Sequence, residues 1–370
     1  MTRNRTMAPT GERTRLIPFT AIPDAVTPRD QRDLMERPFF SLAKGRRVAP
    51  IHYQTADAEV IVEALPACGM ATIWDADVLI WAASQIVEAL DHGLTPSRLI
   101  RFTPYQLLRA VGRATTQRHY RLLKEALHRL QSTVVRTSIR QDGHWRRRQF
   151  SWLTEWGELV DARGRNHGME LVLPDWFYHG VADRALVLSI DPAYFRLTGG
   201  IERWLYRIAR KHAGHQPAGW AFDLRHLHAK SGSLARFSDF ALDLRRIARR
   251  QPLPGYRLAV QRPDDGAEVL HVAPLPGIAR GVAPAITAVD KTVHDAVDNM
   301  TSAVTPVDTS GASGIDTSGA ADSIHRAHEP DTSPWPETPI RPRNFSNKES
   351  NKETCCWPRP APALRGGRRP

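Results

Sequence analysis

The chain has little cysteine, little lysine and no long apolar run. Its 370 residues include three cysteines. None forms a CxxC pair, and Cys355 and Cys356 have no histidine at metal-ligand spacing. This argues against a disulfide framework and a structural zinc site, and fits a reducing, cytoplasmic setting. The longest apolar run, Val78 to Ala83, falls far short of the ~18 residues that read as a membrane span. No apolar signal core follows the charged N-terminus. No GxxxxGK[ST] phosphate loop, HExxH or GxSxG occurs, so ATP hydrolysis and serine hydrolysis are poorly supported. Neither a cofactor nor a metal is expected.

Arginine is what the chain has in quantity. It carries 51 Lys+Arg against 39 Asp+Glu, net +12, and only seven of the basic residues are lysine. Arginine pairs bidentately with phosphates and guanine edges, so a polyanionic partner is the first reading. A merely soluble basic protein is the alternative. The charge is not spread evenly. Residues 101–148 hold twelve Lys/Arg and two Asp/Glu, and residues 201–262 hold thirteen and four. Two compact basic segments suggest two nucleic-acid contact units in tandem. From about Pro284 the chain turns to Thr, Ser, Asp, Pro and Gly, and DTSGA occurs at Asp308–Ala312 and Asp316–Ala320. That composition reads as disorder.

In the first segment, Asp75–Leu90 reads as a helix capped by Asp75, with Val78, Ala82, Ile86 and Ala89 at helical spacing. Thr103-Pro104 opens a short helix that Gly112 ends. Thr115-Thr116 caps a longer helix over Gln117–Gln131. Its Leu123, Leu127 and Leu130 point inward, and Gln117, Arg118, Arg121, Lys124 and His128 fall on the other side. This is a helix-turn-helix order. Thr133–Ile139 and Phe150–Leu153 read as strands around an Asp142-Gly143 turn, with Arg146, Arg147 and Arg148 beside the tip. Helix, helix, helix, hairpin is the order of a winged helix, whose tip arginines suit flanking phosphate or a minor groove.

The second segment repeats the order without repeating the sequence. Ile201–Ala213 reads as an amphipathic helix with Arg203, Arg207, Arg210 and Lys211 pointing out. Asp223 caps a short helix over Leu224–Ala229, Ser231-Gly232-Ser233 turns, and Leu234–Arg250 is a long helix. Tyr256–Gln261 and Glu268–Ala273 are strands joined by Pro263 to Gly266, an acidic wing. Between the segments, Glu170–Asp175, His179–Asp183 and Leu186–Asp191 read as short strands and turns, and Val60–Ala64 as a further strand. His226-Leu227-His228 matches the metal-binding pair of nicking enzymes, with Tyr256 as nucleophile. On a helix, however, residues two apart share no face.

Met35 to Leu42 (MERPFFSL), Pro50 to Tyr53 and Gly69 to Asp77 (GMATIWDAD), continuing to Ser84-Gln85-Ile86, resemble the replication initiator protein A family. Lys230 to Ser233 and Leu253 to Tyr256 look like its C-terminal half. The resemblance covers about residues 30–275. It implies a non-enzymatic initiator of plasmid or integrated-element replication that binds repeated double-stranded sites at an origin. Such a protein helps open the duplex and recruits the host helicase. A melted single strand and a homodimer acting on its own gene are further expectations. A transcriptional repressor built on the same modules is the alternative.

The expectation is therefore an α+β chain of tandem winged-helix domains with a disordered C-terminal tail. The divisions are a flexible arm (1–30), a first domain (31–160), a second (161–275) and the tail (276–370). Base-edge candidates are Gln117, Arg118, Arg121, Ser233 and Arg236, flanked by Thr116 and Ser231. Phosphate candidates are Lys124, Arg146, Arg147, Arg148, Lys230, Arg245, Arg246 and Arg249.

Overall fold

The computed structural model describes residues 16–23, 26–56, 58–140, 147–214, 216–262 and 267–276. The residues from 277 on, the expected wing tip 141–146 with Arg146, and the expected turn at Pro263 to Gly266 lie outside them. The described residues belong to one compact unit, 1–283. Their elements run β1 (Phe19–Thr20), β2 (Arg29–Gln31), α1 (Arg32–Glu36), β3 (Ile51–Gln54), β4 (Glu59–Ala64), α2 (Ala76–Asp91), β5 (Leu99–Phe102), α3 (Pro104–Ala110) and α4 (Gln117–Ser132). There follow β6 (Thr133–Thr137), β7 (Arg148–Ser151), β8 (Glu155–Val160), β9 (Asn166–Val172), α5 (Asp175–Ala182) and β10 (Val187–Ser189). The last are α6 (Gly200–His212), β11 (Trp220–Asp223), α7 (Leu224–Ser231), α8 (Phe237–Arg250), β12 (Tyr256–Gln261) and β13 (Val269–Pro274).

One order of elements occurs twice. Helix, strand, helix, helix, strand, strand describes α2-β5-α3-α4-β6-β7 and again α6-β11-α7-α8-β12-β13. The strands pair differently in the two copies. In the second, β11 closes onto the hairpin to give the sheet β11-β13-β12. In the first, β5 leaves the hairpin and joins β1-β5-β9-β8, while the hairpin grows into β3-β4-β6-β7. Part of the segment expected as a flexible arm is thereby built in: Phe19 pairs with Ile100, and Ala21 is buried.

Local chemistry explains the helix ends. The Thr103 hydroxyl accepts the Gln106 N–H (3.3 Å), and the Gln106 side chain accepts the Thr103 N–H (2.9 Å), a reciprocal cap. At the other end Gly112 takes φ +66, and the Arg113 N–H returns to the Leu108 carbonyl at 2.8 Å. Asp223 caps α7 by accepting the His226 N–H at 2.8 Å.

Asp75 does not cap α2. Its backbone is already helical and its carboxylate is engaged by the Thr72 N–H (2.8 Å) and by Arg129. Helix α8 starts at Phe237 rather than Leu234, because the Ser233 hydroxyl accepts the Ala235 N–H and holds a turn there. His179 lies in α5, not in a strand or turn. The Asp175-Trp176-Phe177 start supplies two buried aromatics on consecutive positions, a pattern that alternation cannot register.

Helix α2 is apolar nearly all round and is buried accordingly. In the same core Trp152 is fully buried, stacked on Phe40 (5.0 Å) and edge-on to Phe39 (5.5 Å). Nearly all the buried apolar residues from Ala21 to Val272 form one cluster that both halves share.

Candidate nucleic-acid interface

One face of the first two turns of α4 stands in water. Thr116, Gln117 and Arg118 are exposed, and Arg118 makes no ion pair among the described residues. The Thr116 hydroxyl meets His119 Nδ1 at 2.8 Å. Arg121 is exposed and only loosely paired with Glu125, at 3.6 Å. Lys124 is paired with Glu158 of β8. On the hairpin, Arg147 bonds Glu59 at 2.9 Å, while Arg148 is exposed without an ion pair among the described residues. The helix is held by its opposite face, where Leu123, Ala126, Leu127 and Leu130 are buried. Arg129 fixes its far end by two 2.8 Å bonds to Asp75.

The second segment is arranged otherwise. Periodicity places Arg203, Arg207, Arg210 and Lys211 on the outside of α6, and the structure corrects this. Arg203, Arg207 and Arg210 are 3%, 1% and 5% exposed. Arg207 binds both oxygens of Asp30 (2.6 and 3.0 Å). Arg203 binds Asp77 at 2.7 Å and the carbonyls of Leu197 and Phe195. Arg210 donates to the Ser189 carbonyl at 2.7 Å, and Lys211 binds Glu36. A buried cation is tolerable only when its charge is compensated; each of these is hydrogen-bonded, Arg203, Arg207 and Lys211 to carboxylates and Arg210 to a carbonyl. The partners lie 126 residues away for Arg203 and 177 for Arg207, beyond the reach of any periodicity argument. A signal is present, though: Asp75 and Asp77 stand isolated inside an apolar run, and acids in such a place require cations.

Lys230 and Ser231 are corrected on the same ground. They are 6% and 1% exposed. The Lys230 ammonium donates to Glu36 at 3.1 Å and the Ser231 hydroxyl to the His228 carbonyl at 2.7 Å, so a phosphate reaches neither. Burial opposes the charge of Glu36, but Lys211, Lys230 and Arg37 outweigh it and hold the carboxyl well below its usual range. His212 lies between Trp220 and Phe222, and burial, aided by the two lysines, lowers its pKa to about 3.

Ser233 is half-buried and Arg236 is exposed at the start of α8. Arg245 is locked to Glu268 at 2.9 and 2.5 Å. Arg246 reaches Asp243 at 3.4 Å, and Arg249 is exposed without an ion pair among the described residues. His226 and His228 lie on α7 rather than on a strand. Tyr256 is 2% exposed and burial pushes its phenol up to about 12, so the three do not assemble a nicking site. Among the described residues no cluster of three or more His, Cys, Asp or Glu could hold a metal. No described helix is long and apolar enough to cross a membrane.

Two segments with one order of elements, one of them presenting an arginine-bearing helix to solvent, define a mixed α+β protein. Residues 29–258 match the family described as replication initiator protein A. The chain belongs to that family. A replication protein of Wigglesworthia glossinidia brevipalpis is 32% identical over 230 residues, covering 60% of this chain and 82% of that protein. Among solved structures, a selenomethionine crystal structure of domains 2 and 3 of RctB is similar with a TM-score of 0.49 and 14% identity, over 65% of this chain and 97% of that one. A second RctB structure, again of domains 2 and 3, gives a TM-score of 0.45 at 13% identity over 66% and 96%.

The stretches that carry the family resemblance form the seam between the modules. Asp77 binds Arg113 of the first module and Arg203 of the second, each at 2.7 Å. Glu36 binds Lys211 and Lys230. Gly232 takes φ +59, and a Cβ there would lie 2.9 Å from Pro38 and 3.2 Å from Ile51. A Cβ on Gly200 would lie 1.9 Å from the Leu42 carbonyl oxygen. MERPFFSL thus meets KSGS directly, through Glu36–Lys230 and Pro38–Gly232, while the second aspartate of DAD reaches α6.

Proposed function

We propose that the chain is a sequence-specific, non-enzymatic DNA-binding initiator that occupies repeated duplex sites at a plasmid or integrated-element origin, helps open them and recruits host replication proteins. The carrying observation is Arg118: exposed, unpaired among the described residues, and in the first turn of the helix that follows α3 and the Gly112 turn. The first turns of a helix-turn-helix's second helix are the part that meets base edges. Each module reads as a winged helix, with β6–β7 and β12–β13 as the wings. Gln117, Arg118 and Arg121 read bases, while Thr116, Lys124, Arg147 and Arg148 meet phosphates. In the second module, Ser233 and Arg236 stand at the entering end of α8. Arg245 is committed to Glu268. Arg246 and Arg249 lie on the last two turns, away from that end, and are left out of the DNA surface.

Footprinting on the DNA beside the gene tests the reading. Protection of several direct repeats is the expected result. Protection of a lone palindrome would make the chain a repressor. A covalent tyrosyl-DNA product on supercoiled origin DNA with Mg²⁺ would overturn the non-enzymatic part.

A further inference from the structure

The C-terminal half of α8 borders a feature that the DNA reading does not use. Leu42, the start of α6 and α8 enclose an open groove of about 580 Å³. Its floor is Leu42, Ile201 and Ile247, and its rim carries Arg246, Arg249 and Arg250. The two acids present are already engaged. Glu202 accepts from Arg250 (2.7 Å) and from the Gly199 N–H (3.0 Å), and Asp243 from Arg246. Arg249 is the rim cation with no ion pair among the described residues. Leu242, Arg246 and Arg249 are spaced i, i+4, i+7, so they share one stripe of α8, and Leu242 is 39% exposed.

A phosphate backbone would use the arginines but has no use for three apolar side chains beneath them. A segment with both carboxylates and apolar anchors uses everything. An amphipathic helix laid into an apolar groove is a recurrent recognition mode, and rim cations select its sign of charge.

We propose that this groove docks an acidic amphipathic peptide segment of a partner protein, its apolar side chains on Leu42, Ile201 and Ile247 and its carboxylates on Arg246 and Arg249. The proposal rests on the initiator reading, since a chain that starts replication at a DNA site needs a surface left over for a protein. Arg250 is the gate cation: a carboxylate arriving from the partner competes with Glu202 for it.

The test pans a phage library of random peptides on the full chain, then measures the selected peptides against wild type, Arg249→Glu and Leu242→Asp. Both substitutions fall on exposed positions, so the fold survives them. Duplex binding and sedimentation are followed in parallel. The expected result is peptides rich in Asp and Glu with spaced Leu or Phe. Their affinity should fall about tenfold with Arg249→Glu and severalfold with Leu242→Asp, while duplex affinity stays within about twofold. Selected peptides that are basic, or that bind all three proteins alike, overturn the proposal. So does a loss of duplex affinity with Arg249→Glu, which would make the groove a DNA surface. A changed oligomeric state in the variants would make the occupant a second copy of the chain. If wild type binds no duplex yet selects acidic peptides that Arg249→Glu releases, the initiator reading fails and the groove stands.

Discussion

Arg118 and Arg207 lie on the basic helices of two modules with the same order of elements and nearly the same net charge. Arg118 is exposed and makes no ion pair among the described residues. Arg207 is 1% exposed and gripped by Asp30. The contrast extends to the first helices of the two modules. Helix α2 opens on Asp77 and α6 on Arg203, and these two bond to each other. Arg118 and Arg148 of the first module thus face solvent, whereas Arg203, Arg207, Arg210, Lys211 and Lys230 of the second hold the molecule together. Net charge by segment is a poor guide to binding surface when the counter-ions come from elsewhere in the chain.

The comparison breaks first at Arg207. Removing one partner of a buried pair leaves an orphaned charge, so Arg207→Ala should lower unfolding free energy by about 3–5 kcal/mol in a urea titration. Arg118→Ala should shift it by less than about 0.5 kcal/mol. Equal effects would erase the distinction. Acid provides the next test. His212 has a pKa of about 3 in the folded chain against 6.5 as the ordinary value. The unfolded chain therefore takes up the proton first. The stability tied to neutral His212 is whole above pH 6.5 and drains as pH falls from there toward 3. The expected slope is about 1.4 kcal/mol per pH unit, and His212→Phe should remove it. For DNA, Arg118→Ala should cost about 1–3 kcal/mol on the specific site and much less on random duplex. Arg147→Ala should weaken both duplexes alike and by less.

Much of the secondary structure is legible in the sequence. The Thr103-Pro104 start, the Gly112 stop and the Leu123, Leu127, Leu130 stripe locate α3 and α4 to within a residue or two, because caps and periodicity are local. Asp223 likewise marks α7. The pairing of β5 with β9 and the three-stranded closure by β11 are not legible, since register depends on partners far along the chain. In the site, the exposed half of α4 follows from its amphipathic pattern. Helix α6 has an equally clear pattern and misleads, because its polar stripe Arg203, Arg207, Arg210 packs onto acids and carbonyls rather than facing water. Lys230 and Ser231 mislead for the same reason.

The most direct test is the salt dependence of duplex affinity for wild type, Arg148→Ala and Arg210→Met. Arg210 is buried and donates to a carbonyl, so methionine leaves no orphaned acid behind. Removing a side chain that neutralises one phosphate lowers the slope of log affinity against log salt by about 1. The expected result is a slope lower by about 1 for Arg148→Ala and unchanged for Arg210→Met. A slope that falls as far for Arg210→Met as for Arg148→Ala would contradict the division between an exposed, DNA-facing arginine and a buried, structural one.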